Sequence, residues 1–412
     1  MTAALGREGD RLELRVGSQG AVHRGPVILV GAGKAAGAMA FAAASVAQPR
    51  SGIVIVPHDQ RGATPEGVEI LHGAHPVPDA SGEAATARLV SLVETAADDT
   101  LVLVLLSGGG SALLVSPAPG ITLADKQVVT AALLASGADI TALNTVRRHC
   151  STVKGGGLLR AAPHAHAVWT LVLSDVIDDD PATIASGPTA ADPTTYDDAL
   201  QVLGRWLAPG VVPPRMRAHL ESGAAGALPE TVKPGDRLLA RTRLEVLADN
   251  RSAVAAAADA ARREGFEPLV LSEPLVGDAA AAGRQVAARL MAGPPDRAVA
   301  VIAGGETTVR AVPGGRGGRS QHLALAAAVA LDGHDGVVLA GGTDGVDGQT
   351  DAAGACVDGG SVQRARASGF DVSAALAATD SHPVLAATGD LVRTGPTGTN
   401  VADLVVALRP AC

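Results

Sequence analysis

Short apolar runs closed by glycine alternate along this chain with longer alanine-rich stretches, the pattern of βαβ units on a largely parallel sheet. In the first half, the runs 27–30, 53–56, 101–106 and 168–173 predict strands, and 34–47, 81–95 and 122–135 predict helices. Thr122 and Asp125 stand at the spacing of a helix amino-terminal cap with a carboxylate in the first turn. Over 209–236 the alternation fades into Pro, Gly and Ala, which predicts a domain boundary. Beyond it, strands are expected at 244–247, around Leu269, at 299–303 and at 337–340, with a helix over 251–264. The predicted fold class is α/β: two α/β domains, residues 1–235 and 236–412, with mostly parallel sheets facing an interdomain cleft that receives the loops at the carboxyl ends of the strands.

Composition narrows the partners. A chain of 412 residues suits two domains of roughly 200 residues each. Two Trp, one Tyr and three Phe leave the core to Ala, Val and Leu and remove the aromatic platforms on which bases stack. A net charge of −9 lacks the basic footprint of a duplex binder, so nucleic acid is not an expected partner. Cys150, Cys356 and Cys412 are odd in number and have neither zinc-site nor disulfide-framework spacing, which points to a reducing, cytoplasmic setting. No run resembles a secretory signal or reaches the ~20 apolar residues of a membrane span.

Candidate chemistry lies in glycine-rich loops. The segment GGTDGVDGQTDAAG, beginning at Gly341, follows the apolar run VVLA and carries Asp344, Asp347 and Asp351. These aspartates suit a divalent cation or a hydroxyl, and Gly342, Thr343 and Asp344 suit a bound phosphate; a solvated Asx-turn cluster is the plainer reading. In VGAGKAAG, Gly31, Gly33 and Gly37 make neither a dinucleotide fingerprint nor a Walker loop. The turn still offers amides at a helix start to an anion, and Lys34 adds a full positive charge. Ser107, Gly108, Gly109, Gly110 and Ser111 form either a phosphate cradle or a tight turn. Arg147, Arg148, His149 and Lys154 are a basic group in which a guanidinium can grip a carboxylate, unless it is simply a solvated face with a structural histidine. Asp175, directly after a buried-looking strand, is the better candidate for a metal or hydroxyl, ahead of Asp344; Asp178, Asp179 and Asp180 read as a solvated loop. Arg316 and Arg319 occupy a glycine loop that leads into an apolar helix.

In their order along the chain, these loops together with HPVPDASG from His75, LNTVRRHCSTVKGGGL from Leu143, LVLSDVIDDDPATIASGPT from Leu171, LADNRSAV from Leu247 and TGDLVRTGPTGTN from Thr388 resemble the class II glycerate 2-kinases, the MOFRL family. The resemblance runs from about Val27 to Leu408. It implies a Rossmann-like first domain and an enzyme that uses ATP and Mg²⁺ to phosphorylate the 2-hydroxyl of D-glycerate. It also implies that Lys34 is the catalytic lysine and Arg319 the functional arginine, both acting on the transferred phosphoryl group; Asp175 joins them as a catalytic candidate from its own place after the strand. The partners it implies are small molecules, D-glycerate and ATP, and a homo-oligomer remains open. Ser320 and His322 stand where the family commonly has Asn and Glu, and about 26 residues precede Val27 where the family usually has a further helical segment, as in a shortened member or one with a late start. Two other functions stay in view. A hydroxypyruvate reductase, a label that family members often carry, needs a dinucleotide site at Gly31 with Asp59 on the ribose; the other is a catalytically inactive glycerate- or nucleotide-binding protein.

Overall fold

The computed structural model describes residues 4–16 and 19–411. The chain divides into two compact units, Met1–Leu247 and Ala248–Cys412.

In the first unit three antiparallel strands, β1 (Leu5–Glu8), β2 (Arg11–Val16) and β3 (Gln19–Arg24), precede a six-stranded sheet. Its strands are β4 (Val27–Ala32), β5 (Ser51–Pro57), β6 (Val68–Gly73), β7 (Leu101–Ser107), β8 (Ala167–Leu173) and β9 (Thr242–Ala248), in the order β6-β5-β4-β7-β8-β9. Strands β4 to β8 pair in parallel. Every residue of β4 and β7 is buried, because helices cover both faces of the sheet, and so these strands read as unbroken apolar runs. Ile28 and Val30 pack with Ala85, Leu89 and Val93 of the helix Ala80–Glu94. Leu29 packs with Met39, Ala40 and Ala43 of the helix Ala36–Ala47. The helix Leu123–Ala135 begins with the capping box that Thr122 and Asp125 foreshadow. It joins the helices Ile140–His149, Tyr196–Trp206 and Pro214–Ala224 in a separate apolar cluster around Val129, Leu133, Val146 and Leu203; the last of these helices lies within the Pro- and Gly-rich stretch 209–236.

The second unit holds β10 (Glu267–Val270), β11 (Leu275–Asp278), β12 (Val299–Thr308), β13 (Val337–Gly342), β14 (Gly354–Asp358), β15 (Leu391–Val392) and β16 (Asp403–Arg409). They are ordered β10-β12-β16-β13-β14-β15, with β11 also on β12. The parallel arrangement expected of both sheets is found in the first, whereas this one is mixed. Strand β16 lies antiparallel between β12 and β13, and β14 returns antiparallel to β13. The link 343–353 holds no crossover helix, and without one a neighbouring strand returns antiparallel. The helices Ala279–Met291 and Arg319–Leu331 share a core with Val301, Ala303, Val405 and Ala407, while the helix Asn250–Arg263 sends Ala258 and Ala261 against Ala300 and Ile302.

Candidate active site

Strands β4, β7 and β8 run in step, with Ala32 beside Leu106 and Ser107 beside Leu173. The loops leaving their carboxyl ends therefore emerge side by side, the usual place for a ligand in a parallel sheet. Gly31 ends its apolar run within β4. Just beyond, the Lys34 N–H donates to the Gly108 carbonyl at 2.8 Å, and the Ala35 N–H donates to Ser107 Oγ at 2.9 Å. The first two candidate loops are thus stitched together. Gly33, at φ 139°, makes this contact possible, since a Cβ there would stand 2.2 Å from Ser107 Oγ. Gly109, at φ 81°, has the same role one layer out: a Cβ would lie 2.9 Å from His75 Cδ2 and 3.4 Å from Lys34 Cγ. His75, Lys34 and Gly109 so converge from the loops after β6, β4 and β7. Asp175 follows β8 at the same edge and is half-buried.

The basic group separates into different tasks. Lys154 is buried and lies beneath the loop, where its Nζ donates to the carbonyls of Ser111 and Leu114 at 2.8 and 3.1 Å. Ser111 Oγ also meets Ser186 Oγ at 2.7 Å, and Ser186 donates to Asn144 Oδ1 at 3.0 Å. Burial, with the charges of Lys126 and Arg147, holds the Lys154 ammonium well below its ordinary pKa. Arg148 is buried against Asp192, with Nε 3.0 Å from Oδ1, and donates to the Ala182 carbonyl at 3.0 Å. His149 lies 3.2 Å from Glu230 and 2.9 Å from the Thr145 carbonyl, as a structural histidine would. Arg147 alone of the four has no hydrogen bond or ion pair among the described residues; burial lowers its pKa to about 10. The acidic loop after Asp175 is less solvated than expected, because Asp180 accepts from Ala182 N and Thr183 Oγ1.

In the second unit three glycine-rich loops meet. Thr343 donates its N–H and Oγ1 to the Ala402 carbonyl at 3.0 and 2.7 Å and accepts from Val401 N at 2.8 Å, which joins Gly342–Asp344 to the loop before β16. Asp344 accepts from Val346 N at 3.1 Å, in the manner of an Asx turn. Asp347, a candidate cation ligand by sequence, is buried and serves the chain instead: it accepts from Ser320 N at 3.1 Å and Gln321 N at 2.8 Å, capping the helix Arg319–Leu331 from a distance. Burial raises its carboxyl pKa to about 6 in spite of those donors. Asp351 is exposed and pairs with Arg393 at 2.8 Å.

Arg319 is forked onto Asp403, Nε to Oδ2 at 2.6 Å and Nη2 to Oδ1 at 3.0 Å, and its Nη1 reaches Glu306 at 2.6 Å. Burial works against this cation, but the two carboxylates outweigh burial and raise its pKa. Burial raises the Asp403 carboxyl, opposed by Arg319 and reinforced by Glu306 and Asp344. Asp344 Oδ1 and Asp403 Oδ1 both flank the β position of Gly342, at 3.0 and 3.7 Å. Such a pair suits Mg²⁺, which takes one or two carboxylates and completes its shell with water and phosphate oxygens. Among the described residues no three His, Cys, Asp or Glu side chains form a metal cage. His322 is buried with Nδ1 unpartnered, and burial lowers its pKa. His75, Glu306 and Asp403 stand beside candidate residues without having been singled out as such from the sequence; the one visible signal was a carboxylate, Asp403, inside an apolar run.

Among the described residues no helix is long and apolar enough to cross a membrane. Residues 2–221 match the model of a domain of unknown function, DUF4147, and residues 299–403 that of the MOFRL family. A protein of Agrobacterium vitis with the provisional name hydroxypyruvate reductase is 46% identical over 394 residues, spanning 92% of this chain and 86% of that one. The D-glycerate 2-kinase of Thermotoga maritima is 40% identical over 390 residues, spanning 93% and 90%. The crystal structure of a glycerate kinase from Thermotoga maritima has a TM-score of 0.81 at 38% identity and covers 93% of this chain and 92% of its own. By these full-length matches in sequence and fold, the chain belongs to the MOFRL family of class II glycerate 2-kinases.

Proposed function

We propose that this protein transfers the terminal phosphoryl group of ATP to the 2-hydroxyl of D-glycerate, giving 2-phosphoglycerate. The observation that carries this reading is the likeness, over 93% of the chain, to a glycerate kinase of known structure. The loop geometry supports it: Lys34 stands at the carboxyl edge of a parallel sheet, stitched to an amide-rich turn of three glycines. Phosphoryl transfer asks chiefly for positioning and charge neutralisation, and these are the parts that supply them. In this reading Gly31, Gly33, Ser107–Ser111 and Gly342–Asp344 receive the nucleotide phosphates, and Lys34 and Arg319 neutralise charge on the phosphoryl group in flight. Asp175 orients the acceptor hydroxyl. Each unit offers a carboxylate to Mg²⁺, Asp175 in the first and Asp344 in the second, and the ion would neutralise charge on the polyphosphate.

The test is the product formed from ATP, Mg²⁺ and D-glycerate, read by phosphorus and carbon NMR. Phosphate on carbon 2 is expected; exclusive 3-phosphoglycerate overturns the assignment. The name of the Agrobacterium vitis relative motivates one parallel measurement. Oxidation of NADH with hydroxypyruvate, without glycerate-dependent ADP release, would establish a reductase instead.

A further inference from the structure

The first unit contains a group of cations with no carboxylate paired to Lys126 or Arg147 among the described residues. Lys126, on the helix Leu123–Ala135, is buried, and its hydrogen bond goes to the Cys150 carbonyl at 2.7 Å, leaving two of its three N–H donors without an acceptor among the described residues. Arg147 approaches from the helix Ile140–His149, half-buried, with its donors unused. Lys154 lies close enough to both to feel their charge, though its own donors are turned to carbonyls. The surrounding acids are spoken for or neutral. Asp125 accepts from Thr122 and pairs with Arg215 at 3.2 Å; Asp192 holds Arg148; and burial pushes the Cys150 thiol up to about 11, so it carries no charge at neutral pH. Desolvated like charges are costly unless an anion joins them. A cap on the Cys150 carbonyl explains one bond of Lys126 and none of Arg147.

We propose that Arg147 grips the carboxylate of the acceptor and that Lys126, anchored on the Cys150 carbonyl at the end of the same helix, is the positioning residue that favours an anion there. Arg148 has no part in the grip, being committed to Asp192. The proposal rests on the glycerate reading above and refines it, because it separates two adjacent arginines and adds a lysine from another helix. Lys154 has a structural part, bracing the Ser107–Ser111 loop through the Ser111 carbonyl.

Calorimetric titration of the full chain with D-glycerate, its uncharged amide and ATP tests the assignment in wild type, Lys126→Met, Lys126→Arg and Arg147→Met. Lys126→Met and Arg147→Met are each expected to weaken D-glycerate roughly tenfold or more while the amide changes less than about twofold, as for loss of a charged hydrogen-bond partner. Lys126→Arg should restore much of the affinity for glycerate. ATP binding should be unchanged throughout. Equal weakening of acid and amide, or no change in either, overturns the proposal, and Arg147→Met, being half-exposed, keeps it testable if Lys126→Met folds poorly. Weakened ATP with unaltered glycerate would show that the cations serve the nucleotide, which also overturns it. A wild-type protein that binds no D-glycerate removes the glycerate reading itself, whereas normal wild-type binding with indifferent variants removes only this refinement.

Discussion

Arg319 and Asp403 are joined through both prongs of the guanidinium, at 2.6 and 3.0 Å, although they lie 84 residues apart in the chain. An arginine held so closely by a carboxylate is preorganised, yet its removal strands a buried anion. Arg319→Ala is therefore expected to lower kcat by roughly 10²-fold, as for one lost electrostatic contact. It should also destabilise the fold by about 2 kcal/mol, less than a fully buried pair would cost because Arg319 is partly exposed. Arg319→Ala with Asp403→Asn should recover most of the melting temperature and none of the turnover. Recovery of both would reduce the arginine to a structural role; recovery of neither would mean that Asp403 has a function beyond the pair.

The backbone geometry of the loops was legible in the sequence because positive φ and close backbone approach leave a mark that glycine alone satisfies, as at Gly33 and Gly109. The capping box at Thr122 and Asp125 was legible for the same reason, being complete within four residues. Pairings that depend on distant partners were not. Nothing local distinguishes Arg147 from Arg148, and only the arrival of Asp192 commits the second. The helix Arg319–Leu331 is buried almost all round, so it shows no amphipathic stripe to orient it, and the capping of its amino terminus by Asp347 depends on a loop more than twenty residues away. Strand β16 likewise has alternating burial that suits many registers, and its place between β12 and β13 is decided by packing.

Lys34 and Gly109 give a second prediction. Lys34 bonds the neighbouring loop through its main chain, so Lys34→Ala keeps that stitch. It should lower kcat by roughly 10²-fold with little movement in melting temperature. Gly109→Ala adds a Cβ 2.9 Å from His75 Cδ2 at a left-handed φ, which costs about 1 kcal/mol or more in backbone strain and pushes His75 and Lys34 apart. Its turnover should fall and its affinity for ATP weaken. A fully active Gly109→Ala enzyme would place the reacting groups away from this loop.

Metal dependence tests the carboxylates. Chelation of Mg²⁺ should abolish turnover, and Asp175→Asn or Asp344→Asn should each raise the Mg²⁺ concentration needed for half-maximal rate more than the KM for D-glycerate. Titrating Mg²⁺ at saturating ATP reads the effect directly. Unchanged metal dependence in both variants would exclude them from the metal site and leave Asp403, beside Asp344 near Gly342, as the carboxylate to vary next.

The final prediction concerns Asp347 and pH. Burial raises its carboxyl from 3.8 to about 6 in the folded protein, so the folded state holds this proton more tightly than the unfolded chain does. Stability from that proton is complete below about pH 4 and is lost as pH rises through about 6, where the buried carboxyl must ionise. The size of the change is on the order of 3 kcal/mol. Asp347→Asn does not titrate, so the unfolding free energy of wild type minus that of the variant should fall by this order between pH 4 and pH 6, measured by urea denaturation at each pH. A flat difference across that window would mean that the Ser320 and Gln321 N–H groups and the helix amino terminus hold Asp347 ionised throughout. A difference that rises with pH would mean that these donors outweigh burial altogether and depress the carboxyl.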